Sequence, residues 1–558
     1  MDTQRLILFF VFSFSLLMLW TEWEKEQRPK PAPTVAAVQK GEPKGIPGAV
    51  PTPAAATPAV PAPTAGATAV APPTAAKGDI VQVRTDLLVA DIDTLGGGIA
   101  RLELLKHKET NDQTKNLVLL GPEHHYFAQS GLTGEAGPNH RTVWRVLPGE
   151  RSLADGNNAV ELRLAAEGRD GVTVEKIYTF KRDSYIIDVA LEIRNSGTAP
   201  VAPHAYFQLT HDGKQAAGGS SLAQSFGAQS FNGFAEYTTE RKFEKVQYSD
   251  IDKGKVDNAK QAADGWIAFV QHYFVAAWVP VTPGQRDYVI EKRPDGVYTG
   301  RVVLTVPPIA PGATAKVVAP LYAGPQEQNR LQEVAPGFDL VVDYGWLTII
   351  AWPLFWLLAK YHSLVGNWGV AIILLTVTIK IVFFPLSAAS YRSMAKMKLV
   401  TPRLTKIREM YANDRARQNQ AMMELYKTEK INPLGGCFPI LVQIPVFIAL
   451  YWVLLAAIEL RHAPFMLWIH DLSALDPYYV LPILMTVTMV IQTKLNPVPP
   501  DPVQAKVMMF MPFVFSIFFF FFPAGLVLYW LVNNILSIAQ QWQIQRMFER
   551  AKPAHGKR

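Results

Sequence analysis

Along this chain the apolar residues keep two rhythms. Between about 79 and 335 they alternate with polar ones. "AVELRL" puts Val160, Leu162 and Leu164 on one side of an extended segment, and "YIIDVALEIRN" sets Val189, Leu191 and Ile193 against Asp188, Glu192 and Arg194. Period two marks half-buried antiparallel strands, and Gly/Asp/Asn clusters such as "GRDG" supply the turns. The stretch is long enough for a large β-sandwich. From about 364 to 545 the apolar residues run in blocks instead, near 366–388, 434–457, 478–493, 508–522 and 525–541. Such blocks predict membrane-spanning helices. The last two meet at "PAG", too short for a domain, and so form a helical hairpin across the membrane.

Three segments fit neither rhythm. Residues 6–20, "LILFFVFSFSLLMLW", are apolar but end in "TEWEKE" with no small-x-small cleavage site, so 1–24 reads as an uncleaved anchor rather than a signal peptide. Residues 25–78 are Pro/Ala/Thr-rich, too poor in core-forming residues to fold, and read as an extended tether. The stretch 340–363 is nearly apolar enough to span. Yet Pro353, Lys360, His362 and three tryptophans suit a helix lying in the membrane interface.

Charge orients these elements. The net charge of +7 over 558 residues is mild, but the basic residues are not spread evenly. Between the second and third spans, residues 391–430 carry ten Lys/Arg against four Asp/Glu. The positive-inside rule puts that loop in the cytoplasm, and with it the basic tail 546–558. The loop "ELRHAPFMLWIHDLSALDP" is net acidic and belongs outside. Six spans with both termini inside satisfy every loop, whereas a seventh at 344–363 would misplace one. The basic loop reads as a helical hairpin over 392–430, turning at "YANDRA" with Asp414 as an N-cap, and Pro402 is expected to kink or interrupt its first arm. Its Arg403, Lys406, Arg408, Arg415 and Arg417 would offer a landing surface for acidic or RNA-bearing partners.

The single cysteine, Cys437, excludes disulfides and a thiolate cluster. No metal-ligand spacing and no G-x-x-x-x-G-K-[ST] loop occurs, so neither a metal nor a nucleotide cofactor is expected.

What remains is the polar chemistry inside the spans. Lys380 lies in the inner half of the second span, with Thr376 one turn earlier on the same face. Gln443 comes early in the third span, also in the inner half. Asn533, Ser537 and Gln540 or Gln541 recur at helical spacing in the last, again towards the cytoplasm. The outer halves, "PVFIALYWVLL" and "FSIFFFFF", are almost purely apolar. If these faces converge, they make a hydrophilic groove open to the cytoplasm and sealed outward, where water lowers the cost of burying a lysine. The plainer readings are a snorkelling lysine and amides that hydrogen-bond between helices.

The stretches "VGNWGVAIILLTVTIKIVFFPLSAASYRSMAKM", "INPLGGCFPILVQIPVFIALYWVL" and "FPAGLVLYWLVNNILSIAQQ", with "DYGWLTIIAWPLF" before them, resemble the YidC/Oxa family of membrane insertases over 340–545. The resemblance continues more weakly through the anchor, tether and β region, as in the Gram-negative form. It implies a polytopic α-helical membrane protein of six transmembrane helices, five of them an insertase core, with a large periplasmic β-supersandwich resembling galactose mutarotase. It also implies insertion and folding of inner-membrane proteins, with no bond-making catalysis. The partners it implies are nascent membrane proteins such as the ATP synthase c subunit and phage coat proteins, the Sec translocon (SecYEG and SecDF), the ribosome and signal recognition pathway, and the lipid bilayer. Many bacterial members carry arginine where Lys380 stands, so the positive charge is kept and the bidentate fork is lost. Two other classes compete: a secondary transporter with Lys380 as its substrate site, although no internal repeat is found, and a membrane-anchored sugar enzyme built on the β region.

Overall fold

The alternation read in residues 159–195 becomes three consecutive strands, Ala159–Glu167, Val172–Lys181 and Ile186–Asn195, paired antiparallel. Val160, Leu162 and Leu164 are all buried, as are Val189, Leu191 and Ile193. The first turn needs two residues at positive φ, and Asp170 and Gly171 provide them at 57° and 75°. A Cβ on Gly171 would come within 2.6 Å of the Gly197 nitrogen, so glycine is required there. The computed structural model describes residues 78–429, except 111, 135–136 and 215–230, together with 438–496 and 502–550. The anchor, all but the last residue of the tether, Cys437 and the end of the basic tail lie outside the described residues.

Among the described residues the β region forms two antiparallel sheets of nine and ten strands. Strands His204–His211 and Tyr298–Thr305 run side by side in the first, and Trp266–Val270 and Phe274–Trp278 in the second. Phe207 and Trp278 pack 5.2 Å apart, and the Trp278 indole N–H donates 3.0 Å to the Gln208 carbonyl, tying one sheet to the other. Fully buried Trp144, Trp266, Tyr178, Phe180 and Phe234 fill the core, each adding roughly 2–3 kcal/mol of apolar burial.

Two short helices, α1 (Tyr248–Asp252) and α2 (Gln328–Val334), belong to this region. The helical half begins with α3 (Thr348–Val365), which stops at Gly366 in the left-handed region. It packs on two later helices, α4 (Trp368–Val382) and, beyond α5 (Phe384–Met410) and α6 (Arg415–Thr428), α7 (Phe438–Ala456). Ala351, Phe355 and Leu358 of α3 are buried, while Trp346, Ile349, Trp352 and Trp356 are exposed. The remaining helices are α8 (Val480–Leu495), α9 (Pro502–Phe519) and α10 (Ala524–Arg550).

The apolar block 366–388 is divided at Phe383: α4 ends and α5 leaves at 66°. Pro385 is the cause, since it has no N–H and its ring would strike the Ile381 carbonyl. Pro402 does not interrupt α5, contrary to expectation. Val400 and Leu404 flank it and pack beside Met422, Leu425 and Tyr426 of α6, which holds the arm together across one missing hydrogen bond. The turn forms at "YANDRA", and the Asp414 carboxylate accepts from the Arg417 N–H at 3.0 Å. No single described helix is long and apolar enough to cross a membrane, while the bent α4–α5 pair passes that test by length and composition.

Candidate functional site

The site forms where α4, α7 and α10 meet. Its depth is set by how α4 is anchored. Asn367 caps that helix, accepting from the Val370 N–H at 3.0 Å and donating 2.9 Å to the Phe465 carbonyl. Gly369 sits against the Phe465 ring, where a Cβ would approach to 2.1 Å. Three turns further on, the chain delivers Lys380.

Lys380 is only 6% exposed. Its ammonium donates to Ser537 Oγ of α10 at 2.7 Å, and Ser537 in turn donates to the Asn533 carbonyl at 2.8 Å. Asn533 Oδ1 accepts from Gln443 Nε2 of α7 at 3.2 Å. Gln540 Nε2 stands 3.5 Å from the Lys380 carbonyl, at the outer limit of a hydrogen bond, and Gln540 Oε1 has no partner among the described residues. Five of the six expected groove residues thus share one locality. Thr376 does not join them: it is fully buried and its hydroxyl turns back to the Ile372 carbonyl at 2.7 Å.

Two features escaped sequence reasoning. Tyr391, on α5, lies beside Ser537, so the bend at Phe383 brings the base of the hairpin against the group that holds Lys380. The second is an amide zip between α8 and α10. Asn534 donates to Thr488 at 3.0 Å, Gln492 to Gln541 at 2.6 Å, Gln541 to Asn496 at 3.2 Å, and Gln545 to the Leu495 carbonyl at 3.3 Å. The four-residue spacing of Thr488, Gln492 and Asn496 was the available signal. It also separates two neighbours: Gln541 faces α8 and Gln540 faces α4, as the 100° step of a helix requires.

One turn beyond the Gln443–Asn533 pair the walls are aromatic. Phe447 of α7 stacks on Trp530 of α10 at 5.3 Å, and Phe519 and Phe522 meet Trp530 edge-on at 4.7 and 5.3 Å. The arrangement is therefore a short polar cluster with a cation at its base and an aromatic ceiling. It suits holding a negatively charged or hydrogen-bonding segment of chain.

On the hairpin, Arg403 pairs with Glu429 at 2.6 Å and Arg417 lies 3.6 Å from Asp414, while Lys406 is exposed. Arg408 is half-buried, its carbonyl accepting from Gln418. The side chain of Arg415 lies outside the described residues.

The family described as YidC periplasmic domain matches residues 80–357, and that described as 60Kd inner membrane protein matches 360–552. The membrane protein insertase YidC of Aromatoleum aromaticum is 54% identical over 561 residues, covering 99% of this chain and 100% of the relative. That of Methylobacillus flagellatus is 54% identical over 555 residues, covering 99% and 98%. A crystal structure of an active YidC insertase with its first transmembrane domain resolved aligns with 83% of this chain and 94% of its own, at 17% identity and a TM-score of 0.37. A putative aldose 1-epimerase of Escherichia coli K12 aligns with 44% of this chain and 98% of its own, at 10% identity and a TM-score of 0.27.

Proposed function

Because the chain belongs to the YidC family of membrane protein insertases, inner-membrane proteins with a periplasmic domain, we propose that the polar cluster around Lys380 lines the groove through which it inserts its substrates. In this reading six helices span the bilayer, both termini are cytoplasmic, and 344–363 lies flat on the outer face. A nascent chain meets the basic hairpin at 392–430. Its hydrophilic leading segment enters the groove, where Lys380, Gln443, Asn533, Ser537 and Gln540 replace water around it. The polar segment then has only the outer half of the bilayer to cross. The following apolar helix slides along α7 and α9 into lipid, driven by burial worth about 25 cal/mol per Å². No covalent bond is made or broken. Small membrane proteins would be handled alone, larger ones beside the Sec translocon, with ribosomes docking at the hairpin.

The observation that carries this reading is the state of Lys380. An ammonium has three donors. Here it has one hydrogen bond, to Ser537, and no carboxylate pairs with it among the described residues. A positive group held in that state attracts an acidic segment, and a bidentate arginine is not needed for that. The transporter and sugar-enzyme readings gain no support from the family assignment.

The test is a photo-crosslinker at position 380 in the full chain, presented with ribosome-bound nascent chains of a small membrane protein bearing an acidic tail. The expected result is an adduct with the tail region. Crosslinks at the hairpin but none at 380 would sink the groove reading.

A further inference from the structure

The polar stripe of α10 does not stop where the sequence pattern ends it. Ser537 and Asn533 are four residues apart, and Tyr529 lies four residues before Asn533, hence on the same face and about 6 Å further outward. Tyr529 is fully buried and Trp530 is 8% exposed. Neither the Tyr529 hydroxyl nor the Trp530 indole N–H has a hydrogen-bond partner among the described residues. Buried donors are normally satisfied, and a tyrosine or tryptophan placed only for its ring still finds a partner for its polar end. The rings are well packed: Phe447 stacks on Trp530 and meets Tyr529 at 5.9 Å. Phenylalanine at 529 would fill nearly the same space and strand nothing. Two unengaged donors therefore sit in the ceiling, one turn beyond the Gln443–Asn533 pair that joins α7 to α10.

We propose that Tyr529 and Trp530 form a second polar step, which takes the carbonyl or carboxylate oxygens of a polypeptide segment moving outward from Lys380. The indole offers only a donor and the phenol donates readily, so the ligand must bring acceptors. Backbone carbonyls and acidic side chains do so. The step rests on the groove reading: it hands the polar segment through the half of the site that is otherwise apolar.

The experiment uses the full chain in phosphatidylethanolamine/phosphatidylglycerol vesicles. Two substrates are made by cell-free translation, a small single-spanning protein with an acidic amino-terminal tail and the same protein without it. Protease protection reports insertion. Tyr529→Phe removes one donor and little else; Trp530→Phe removes the other. Insertion of the tailed substrate should fall about three- to tenfold, the effect of one ordinary hydrogen bond, with the tail-less substrate unchanged. Thermal stability of Tyr529→Phe should not fall, since its hydroxyl holds nothing at rest. Unchanged insertion of the tailed substrate, an equal loss for both substrates, or a drop in the stability of Tyr529→Phe would each overturn the proposal. Lys380→Glu run in parallel keeps the outcomes apart: if it too inserts normally, the groove itself has failed, and if it alone fails, only the second step is lost.

Discussion

Two lysines are buried among the described residues, one in each half. Lys176, in the β region, is fully buried and donates to three carbonyls: Ser130 at 2.8 Å, Gly97 at 3.0 Å and Gly96 at 3.2 Å. It also lies 4.4 Å from the centre of the Trp144 ring. All three of its donors are engaged, and they pin the 96–97 turn and the strand at Ser130 to the opposite sheet. Lys380 is nearly as buried and has one hydroxyl. Burial alone therefore says little about role. A buried cation whose donors are saturated belongs to the architecture, whereas one with donors to spare is arranged for something that arrives later.

The sharpest way to break this contrast is to reverse the charge at 380. Lys380→Glu should cut insertion of an acidic-tailed substrate by at least about tenfold, since repulsion replaces attraction in a partly dehydrated site. Lys380→Arg should retain most of it, and Lys380→Ala should fall between. Protease protection of the tail in vesicles measures all three. Full insertion by both the alanine and glutamate variants would return Lys380 to the status of a snorkelling side chain. Lys176→Met should behave oppositely. Losing three hydrogen bonds and a cation–π contact lowers the stability of the β region by about 3 kcal/mol, read as an earlier unfolding transition, while insertion below that transition continues.

Much of this contrast was legible in residue order, and the part that was not has a physical reason. Lys380, Gln443 and Asn533 could be matched because each lies on a helix for which the loop charges predict a direction, so position along the chain converts to an expected depth. Thr376 was placed on the right face, but its hydroxyl had a second acceptor within its own helix at Ile372, a choice that spacing does not determine. Tyr391 was out of reach because its contact with Ser537 depends on the 66° bend, and Pro385 foretells a bend without its direction. The zip from α8 to α10 required knowing which helices are neighbours. The alternation of Val160, Leu162 and Leu164 predicted a strand and its buried face, but the pairing of nine and ten strands into two sheets arises from contacts far apart in sequence.

A smaller effect sharpens the same comparison through pH. Burial pulls the Lys176 ammonium down to about 7 from its ordinary 10.5. Between those values the unfolded chain holds a proton that the folded chain has released. Stability of the β region should therefore rise with pH from about 7 towards 10.5, with a slope of at most about 1.4 kcal/mol per pH unit from this group. Lys176→Met removes that contribution. Unfolding midpoints at pH 7 and 9 for both proteins give the test, and an equal slope in the two would show that Lys176 does not titrate there.

The smallest effect is also the most local, because it sets two adjacent glutamines of one helix against each other. Gln541 accepts from Gln492 and donates to Asn496, and it is fully buried. Among the described residues Gln540 has one contact, at 3.5 Å, and its Oε1 is unengaged. If saturation separates architecture from site, Gln541→Ala should lower thermal stability by about 1–2 kcal/mol and leave insertion intact in the folded protein. Gln540→Ala should leave stability nearly unchanged and lower insertion of the acidic-tailed substrate about twofold, since an amide that meets the substrate weakly is worth less than the cation beside it. Measured together, the two variants share a helix, a residue type and a depth, so what differs between them is the number of hydrogen bonds already made. Equal loss of stability from both would mean that Gln540 is as structural as its neighbour, and that the groove on that side is narrower than the three converging helices imply.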